Sequence, residues 1–203
     1  MHGPLRWRRP GIDLSPSSDS LAYLRRMIHF HWYDTFLALF DRALAEWRAG
    51  NDDWATYYSE EDIEFLGTIG YQPREFFDFV EDCAAGEPVS PFSALLVAAV
   101  RRDYFMIMQG GQTSETFFPA SALPAKTDAA VAGIPYFARI LQKARLKLRG
   151  ELDPDTMFGC GGDRAFLMAC DVHPADFLRH VWAAGEDDTK IIALVTAGRQ
   201  TDA

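Results

Sequence analysis

The segment Asp62-x-x-Phe65-Leu66-x6-Pro73-x-x-Phe76-x3-Val80 occurs a second time, without a gap, as Asp163-x-x-Phe166-Leu167-x6-Pro174-x-x-Phe177-x3-Val181. Six of nineteen positions coincide, against about one for unrelated segments, and self-similarity at a fixed offset is the signature of one structural unit used twice. The offset, 101, is close to half of the 203 residues. Each copy reads as short helix, turn, proline-initiated helix. Pro73 and Pro174 suit a first helical turn, an acid follows two residues later (Glu75, Asp176), and an apolar stripe comes after it. The expected fold is therefore mainly α, with two related helical lobes in pseudo-symmetric tandem. The expected boundaries are a flexible N-terminal tail at 1–18, a first helical repeat at 19–108, a linker at 109–127 and a second helical repeat at 128–203.

Working outward, Leu24, Met27, Ile28, Phe36, Leu37, Phe40, Leu44 and Trp47 fall at helical spacings, predicting one long helix, or two with a bend near Trp32. A start is signalled upstream at Ser17, Ser18 or Asp19, and Ser59 followed by Glu60, Glu61 and Asp62 reads as a cap with an acidic first turn. In the second half, Phe137, Ile140, Leu141, Ala144 and Leu148 mark a helix that Gly150 ends. The helix starts align as Tyr23-Leu24-Arg25-Arg26 with Tyr136-Phe137-Ala138-Arg139, an offset of 113, so the first copy is expected to carry about twelve additional residues. Residues 104–108 fit a strand as well as a helix end, which leaves open a short hairpin near 104–118. In the linker, Phe117 and Phe118 suggest a segment that packs down.

The composition, 48% hydrophobic and 24% charged, is that of a soluble globular protein. A formal net charge of −9 argues against a broad nucleic-acid surface, which needs concentrated Lys and Arg. Cys83, Cys160 and Cys170 are too few for a disulfide framework and form no C-x-x-C pair. The basic N-terminus lacks the apolar core of an export signal, and the longest apolar run, 94–100, is too short to span a bilayer. The expected setting is the cytoplasm, without membrane contact.

Against this acidic background, Arg139, Lys143, Arg145, Lys147 and Arg149 put five positive charges on one helix with no acid among them. Arg139, Lys143 and Lys147 would share a face. That face is either solvated, balancing acids elsewhere, or part of an anion site. The loop Gly159-Cys160-Gly161-Gly162-Asp163 opens directly onto a helix, where glycines and a helix N-terminus can offer backbone N–H groups to phosphate or carboxylate. Asp163 reads first as a helix cap, matching Asp62. Cys160, next to a helix start and several cations, would have a stabilised thiolate, and no single histidine is an obvious base for it, although His173 and His180 are in the same lobe. Cys83 and Cys170 read as inert core thiols. His29 and His31 lie two apart and diverge on a helix, so no metal site is expected unless the helix breaks there.

The second half resembles the bacterial domain of unknown function 5069 family. The resembling residues are Gly133-Ile134-Pro135-x3-Arg139-x3-Lys143-Ala144-Arg145-x-Lys147-Leu148-x-Gly150, then Cys160-x-x-Asp163-x-x-Phe166-Leu167, then Pro174-x-x-Phe177. Gln142 stands where the pattern is usually acidic, and Gly161-Gly162 replace bulkier residues. The resemblance implies a mainly helical domain and transfers no reaction. The first half looks like a diverged member, keeping Arg26, Asp62, Phe65, Leu66, Pro73 and Phe76 but with Phe30 against Lys143.

The function expected from these residues is a binding module, without metal or organic cofactor, for a small anionic ligand or an acidic protein segment. Arg139, Lys143, Arg145, Gly161, Gly162 and Asp163 would form the site. The alternative is an enzyme acting on a small phosphate- or carboxylate-bearing substrate, with Lys143, Cys160 and Asp163 as catalytic candidates. A third reading is a structural or dimerisation module, such as a homo-oligomer, using Phe76, Phe77, Phe79 and Trp182.

Overall fold

In the computed structural model, residues 29–199 are described, and the chain divides between Thr35 and Phe36. The site lies in the larger unit, Phe36–Ala203. The tail at 1–18, the upstream helix start and the Tyr23-to-Arg26 alignment all fall outside the described residues. A turn at His31 precedes helix α1, Trp32–Arg48, which is where the bend was expected. The other helices are α2 (Glu60–Thr68), α3 (Pro73–Ala84), α4 (Pro91–Ile107), α5 (Phe137–Arg149), α6 (Gly161–Met168), α7 (Pro174–Ala184) and α8 (Asp188–Arg199). The fold is mainly helical, with eight helices and no strand among the described residues.

Residues 104–107 form the last turn of α4, and Met108 is its C-cap. The short apolar run continues a helix because Val97, Val100, Arg101 and Phe105 all face the interior at helical spacing. The hairpin considered near 104–118 does not form. Phe118 instead makes an isolated parallel bridge with Leu152, its N–H donating to Glu151 O at 2.8 Å, which fastens the expected linker to the chain just after α5.

Local geometry recurs at the offset of 101. After α2 the N–H groups of Ile69 and Tyr71 both return to Leu66 O (3.1 and 2.9 Å), and after α6 those of Cys170 and Val172 return to Leu167 O (both 3.0 Å). Gly70 and Asp171, equivalent positions in these two turns, both adopt positive φ, 68° and 52°. The helices before them also end in register, α1 at Arg48 and α5 at Arg149. The alignment at 113, with its expected twelve additional residues, rests on Tyr23 to Arg26, which lie outside the described residues. At the offset of 101, Arg42 stands against Lys143.

The halves share one interior. α4 packs against both α5 and α7, α5 packs against α7, and α3 packs against α4. Phe36, Phe40, Tyr58 and Phe76 form an edge-to-face cluster, and Phe76, Phe77 and Phe79 are all buried. These three phenylalanines therefore contribute to the core and are not available as interface material. Cys170 is buried as expected, whereas Cys83 is part-exposed. Among the described residues, no helix is long and apolar enough to cross a membrane.

Candidate functional site

The five cations of α5 do not form a solvated face. Lys143 and Lys147 are 2% and 1% exposed, so the i, i+4 spacing that aligned them has aimed them inward. Lys143 Nζ donates to Asp163 Oδ2 at 2.5 Å and to Cys160 Sγ at 3.4 Å. Lys147 Nζ pairs with Glu75 and donates to Tyr71 Oη at 2.9 Å, with the ammonium over the tyrosine ring. Burial lowers the Lys147 pKa, against the opposing charge of Glu75, and burial also raises the Tyr71 phenol. The remaining cations are turned elsewhere: Arg139 Nη1 to Pro124 O (2.9 Å), Arg145 Nη2 to Asp188 Oδ1 (2.5 Å), and Arg149 Nε to Glu151 Oε2 (2.6 Å). Of the residues expected to bind an anion, Lys143, Gly161, Gly162 and Asp163 come together and Arg139 and Arg145 do not join them.

Asp163 is not the helix cap. The N-cap of α6 is Cys160, which makes no side-chain cap bond, and Asp163 is the third residue of the helix, fully buried. Its carboxylate accepts from Lys143 Nζ, from Tyr136 Oη at 2.8 Å and from Gly159 N–H at 2.8 Å. A buried carboxylate needs such saturation, since an isolated one would be costly. Cap preference predicted an exposed role for Asp163 because the sequence does not reveal that its oxygens turn inward, away from the helix end.

Tyr136, which sequence reasoning placed only in an alignment, completes the cluster. It is the N-cap of α5 and sits in the left-handed region at φ 73°, an uncommon place for an aromatic residue. Burial, then the Asp163 charge, pushes its phenol well above the ordinary range. A Cβ on Gly162 would come within 2.8 Å of the Tyr136 hydroxyl, so the missing side chain there makes room for the tyrosine. Gly159, at φ 89°, is in a conformation that favours glycine.

Arg164 was also missed. It is 5% exposed, donates to Asp82 Oδ2 (2.6 Å), Gly159 O (2.6 Å) and Glu87 Oε2 (3.1 Å), and thereby ties the loop before α6 to α3 and the segment after it. It borders a cleft of about 480 Å³ with Phe79, Val97, Leu167 and His173. Asp171 and Asp176 also line this cleft, so Arg164, already paired with two acids, leaves no excess positive charge there. His173 is the N-cap of α7, its Nδ1 accepting from Ala175 N–H at 3.2 Å, and neither His173 nor His180 is hydrogen-bonded to Cys160. Among the described residues, no group of three or more His, Cys, Asp or Glu is placed to hold a metal ion.

The chemistry on offer is thus a thiol at an uncapped helix start, with an ammonium 3.4 Å behind it. Cys160 is part-exposed, and Gly161 and Gly162 are exposed. The family model described as a domain of unknown function, DUF5069, matches residues 123–203, which contain this whole cluster. No curated protein and no solved structure matches the chain.

Proposed function

We propose that the chain is a cytoplasmic binding module for a small phosphate- or carboxylate-bearing ligand, seated at the start of α6, and that its halves derive from a duplicated unit. The observation that carries this reading is the unfinished first turn of α6. Cys160, with backbone angles typical of a cap, supplies no cap bond, and two exposed glycines follow it. Helix N-termini attract anions through free N–H groups and the helix dipole, and the Lys143 ammonium lies behind the same turn. Arg139 and Arg145 drop out of the binding set. The three cysteines are all free, in keeping with a reducing compartment.

Inorganic phosphate titrated calorimetrically is the direct test. Saturable binding by the natural chain, retained in Gly161→Ala and abolished in Gly161→Glu, is the expected result. A Cβ at Gly161 meets only the Arg164 guanidinium, at 3.8 Å, so both variants should fold. Absence of binding, or binding unchanged by the glutamate, would overturn the reading. The enzyme alternative is favoured by the contact between Cys160 Sγ and Lys143, which puts an ammonium beside a part-exposed sulfur. It requires Cys160→Ala, which adds no capping group, to bind phosphate normally while losing turnover of a phosphate or carboxylate ester.

A further inference from the structure

The turns that follow α2 and α6 lie at the offset of 101 and border spaces of very different size. Gly70, Tyr71 and Glu75 line a recess of about 50 Å³, where Tyr71 is buried beneath the Lys147 ammonium and Arg101 forms part of the wall. Asp171, Val172 and Asp176 stand at the matching positions and line the cleft of about 480 Å³ beside Arg164. Val172 is smaller than Tyr71 and only half-buried. Small-molecule sites run from about 300 to 1,000 Å³, which admits the second space and excludes the first.

The cleft can be entered. Val89, Val172 and Pro174 are half-buried and Met168 is exposed, so the loop before α4 and the turn after α6 present accessible apolar surface to it. Covering that surface favours a ligand with an apolar body. The charges decide what else the ligand carries. Arg164, the one arginine at the lining, is 5% exposed and taken up by Asp82 and Glu87. Asp176 is exposed and pairs with Arg179 at 2.6 Å. Asp171 is exposed, at φ 52°, and its carboxylate has neither an ion pair nor a hydrogen bond among the described residues. Two guanidinium groups thus stand against four carboxylates, and the unmatched carboxylate is one that solvent reaches. Like charge disfavours an anion there, whereas an ammonium would meet a carboxylate with only water to displace.

We infer that this cleft binds a small primary amine with an apolar body, the body against Val89, Met168 and Val172 and the ammonium against Asp171. Neither of the exposed glycines that open α6 lines the cleft, and the ligand is opposite in charge to the phosphate- or carboxylate-bearing one, so this site does not depend on that reading.

The test is calorimetric titration at neutral pH and fixed ionic strength with three probes of one size: phenethylamine, phenethyl alcohol and phenylacetate. The amine should bind saturably, the neutral alcohol about fivefold more weakly for want of one exposed charge pair, and the carboxylate not at all. Asp171→Asn keeps a residue type that tolerates positive φ and should fold. It should weaken the amine to the level of the alcohol and leave the alcohol unchanged. Ser93→Trp changes a part-exposed position whose backbone N–H, the donor to Ser90 Oγ, is retained. The indole would fill the cleft, which Ser93 lines, and should abolish binding of both probes. Gly161→Glu, which tests the phosphate reading, should leave the amine unchanged, so the two ideas fail separately. No saturable amine binding, equal binding of amine and carboxylate, amine affinity unmoved in Asp171→Asn, or binding retained in Ser93→Trp would overturn the inference.

Discussion

The first turn of α2 and the first turn of α6 occupy equivalent positions and are finished in opposite ways. In α2 the N-cap is Ser59, whose Oγ accepts from the Asp62 N–H while the Asp62 carboxylate returns to the Ser59 N–H, a reciprocal capping box. Glu60 and Glu61 occupy the next two positions. In α6 Cys160 has almost the same backbone angles (φ −63°, ψ 169°, against −71° and 170° for Ser59) but caps nothing, and glycines replace both glutamates. Behind each turn lies a cation twenty residues upstream of the aspartate, Arg42 on Asp62 and Lys143 on Asp163. The first pair is on the surface, with Arg42 57% exposed; the second is buried. Two helix starts with nearly the same backbone angles are therefore finished differently, one self-sufficient and the other open, with its aspartate committed to the interior.

The sharpest way to break this comparison is to delete the two cations. Lys143→Ala strands a buried carboxylate and should cost about 3–5 kcal/mol in urea unfolding. Arg42→Ala removes a largely exposed partner and should cost less than about 1 kcal/mol. Equal losses would mean that the two pairs are energetically alike.

Asp78 sharpens the same contrast within the first half. Burial pushes its carboxyl up to about 7, against the pull of the Arg74 guanidinium and the Lys147 ammonium. An acid whose folded pKa lies above its unfolded value holds more protons when folded. Its contribution is therefore most favourable below about pH 4, becomes less so as pH rises to about 7, and levels off beyond. Asp78→Asn should remove that slope, a difference of about 4 kcal/mol between pH 4 and pH 8 at about 1.4 kcal/mol per unit. Parallel stability curves for the two proteins would disprove it.

The smallest effect concerns the caps themselves. Ser59→Ala should destabilise by about 1 kcal/mol. Cys160→Ser, dropped into matching backbone angles, should stabilise by up to about 1 kcal/mol by supplying the missing cap. A destabilised serine variant would show that the thiol is held by contacts the hydroxyl cannot replace.

Much of the framework was legible in the chain. Pro73 and Pro174 start α3 and α7, Ser59 caps α2, and Gly150 ends α5, because each residue acts on backbone within a few positions of itself. The site was legible only in part. Lys143, Cys160 and Asp163 were marked and do meet, but the direction of the α5 cations was not readable, since a lysine at helical spacing fits a wet face as well as a buried partner. A signal was present: continued without a gap, the offset of 101 sets Arg42 against Lys143, each twenty residues before its aspartate. The Tyr-x-x-Arg resemblance, at an offset of 113, set Phe30 there instead. Arg101 and Arg164 gave no local sign, because their burial depends on Gln109 and Gly150 in one case and on Asp82 and Glu87 in the other.

The left-handed Tyr136 also bears on the order in which the chain assembles. Holding a non-glycine residue in a sparsely populated region costs of order 1–3 kcal/mol, and the hydroxyl that offsets this bonds to Asp163, 27 residues later. Before the start of α6 has docked, the local chain has no reason to adopt that turn. The Ile140 N–H to Tyr136 O bond that opens α5 should thus close late in refolding, with the rest of the helix already formed, and pulsed hydrogen exchange at the Ile140 amide would report the moment at which it does.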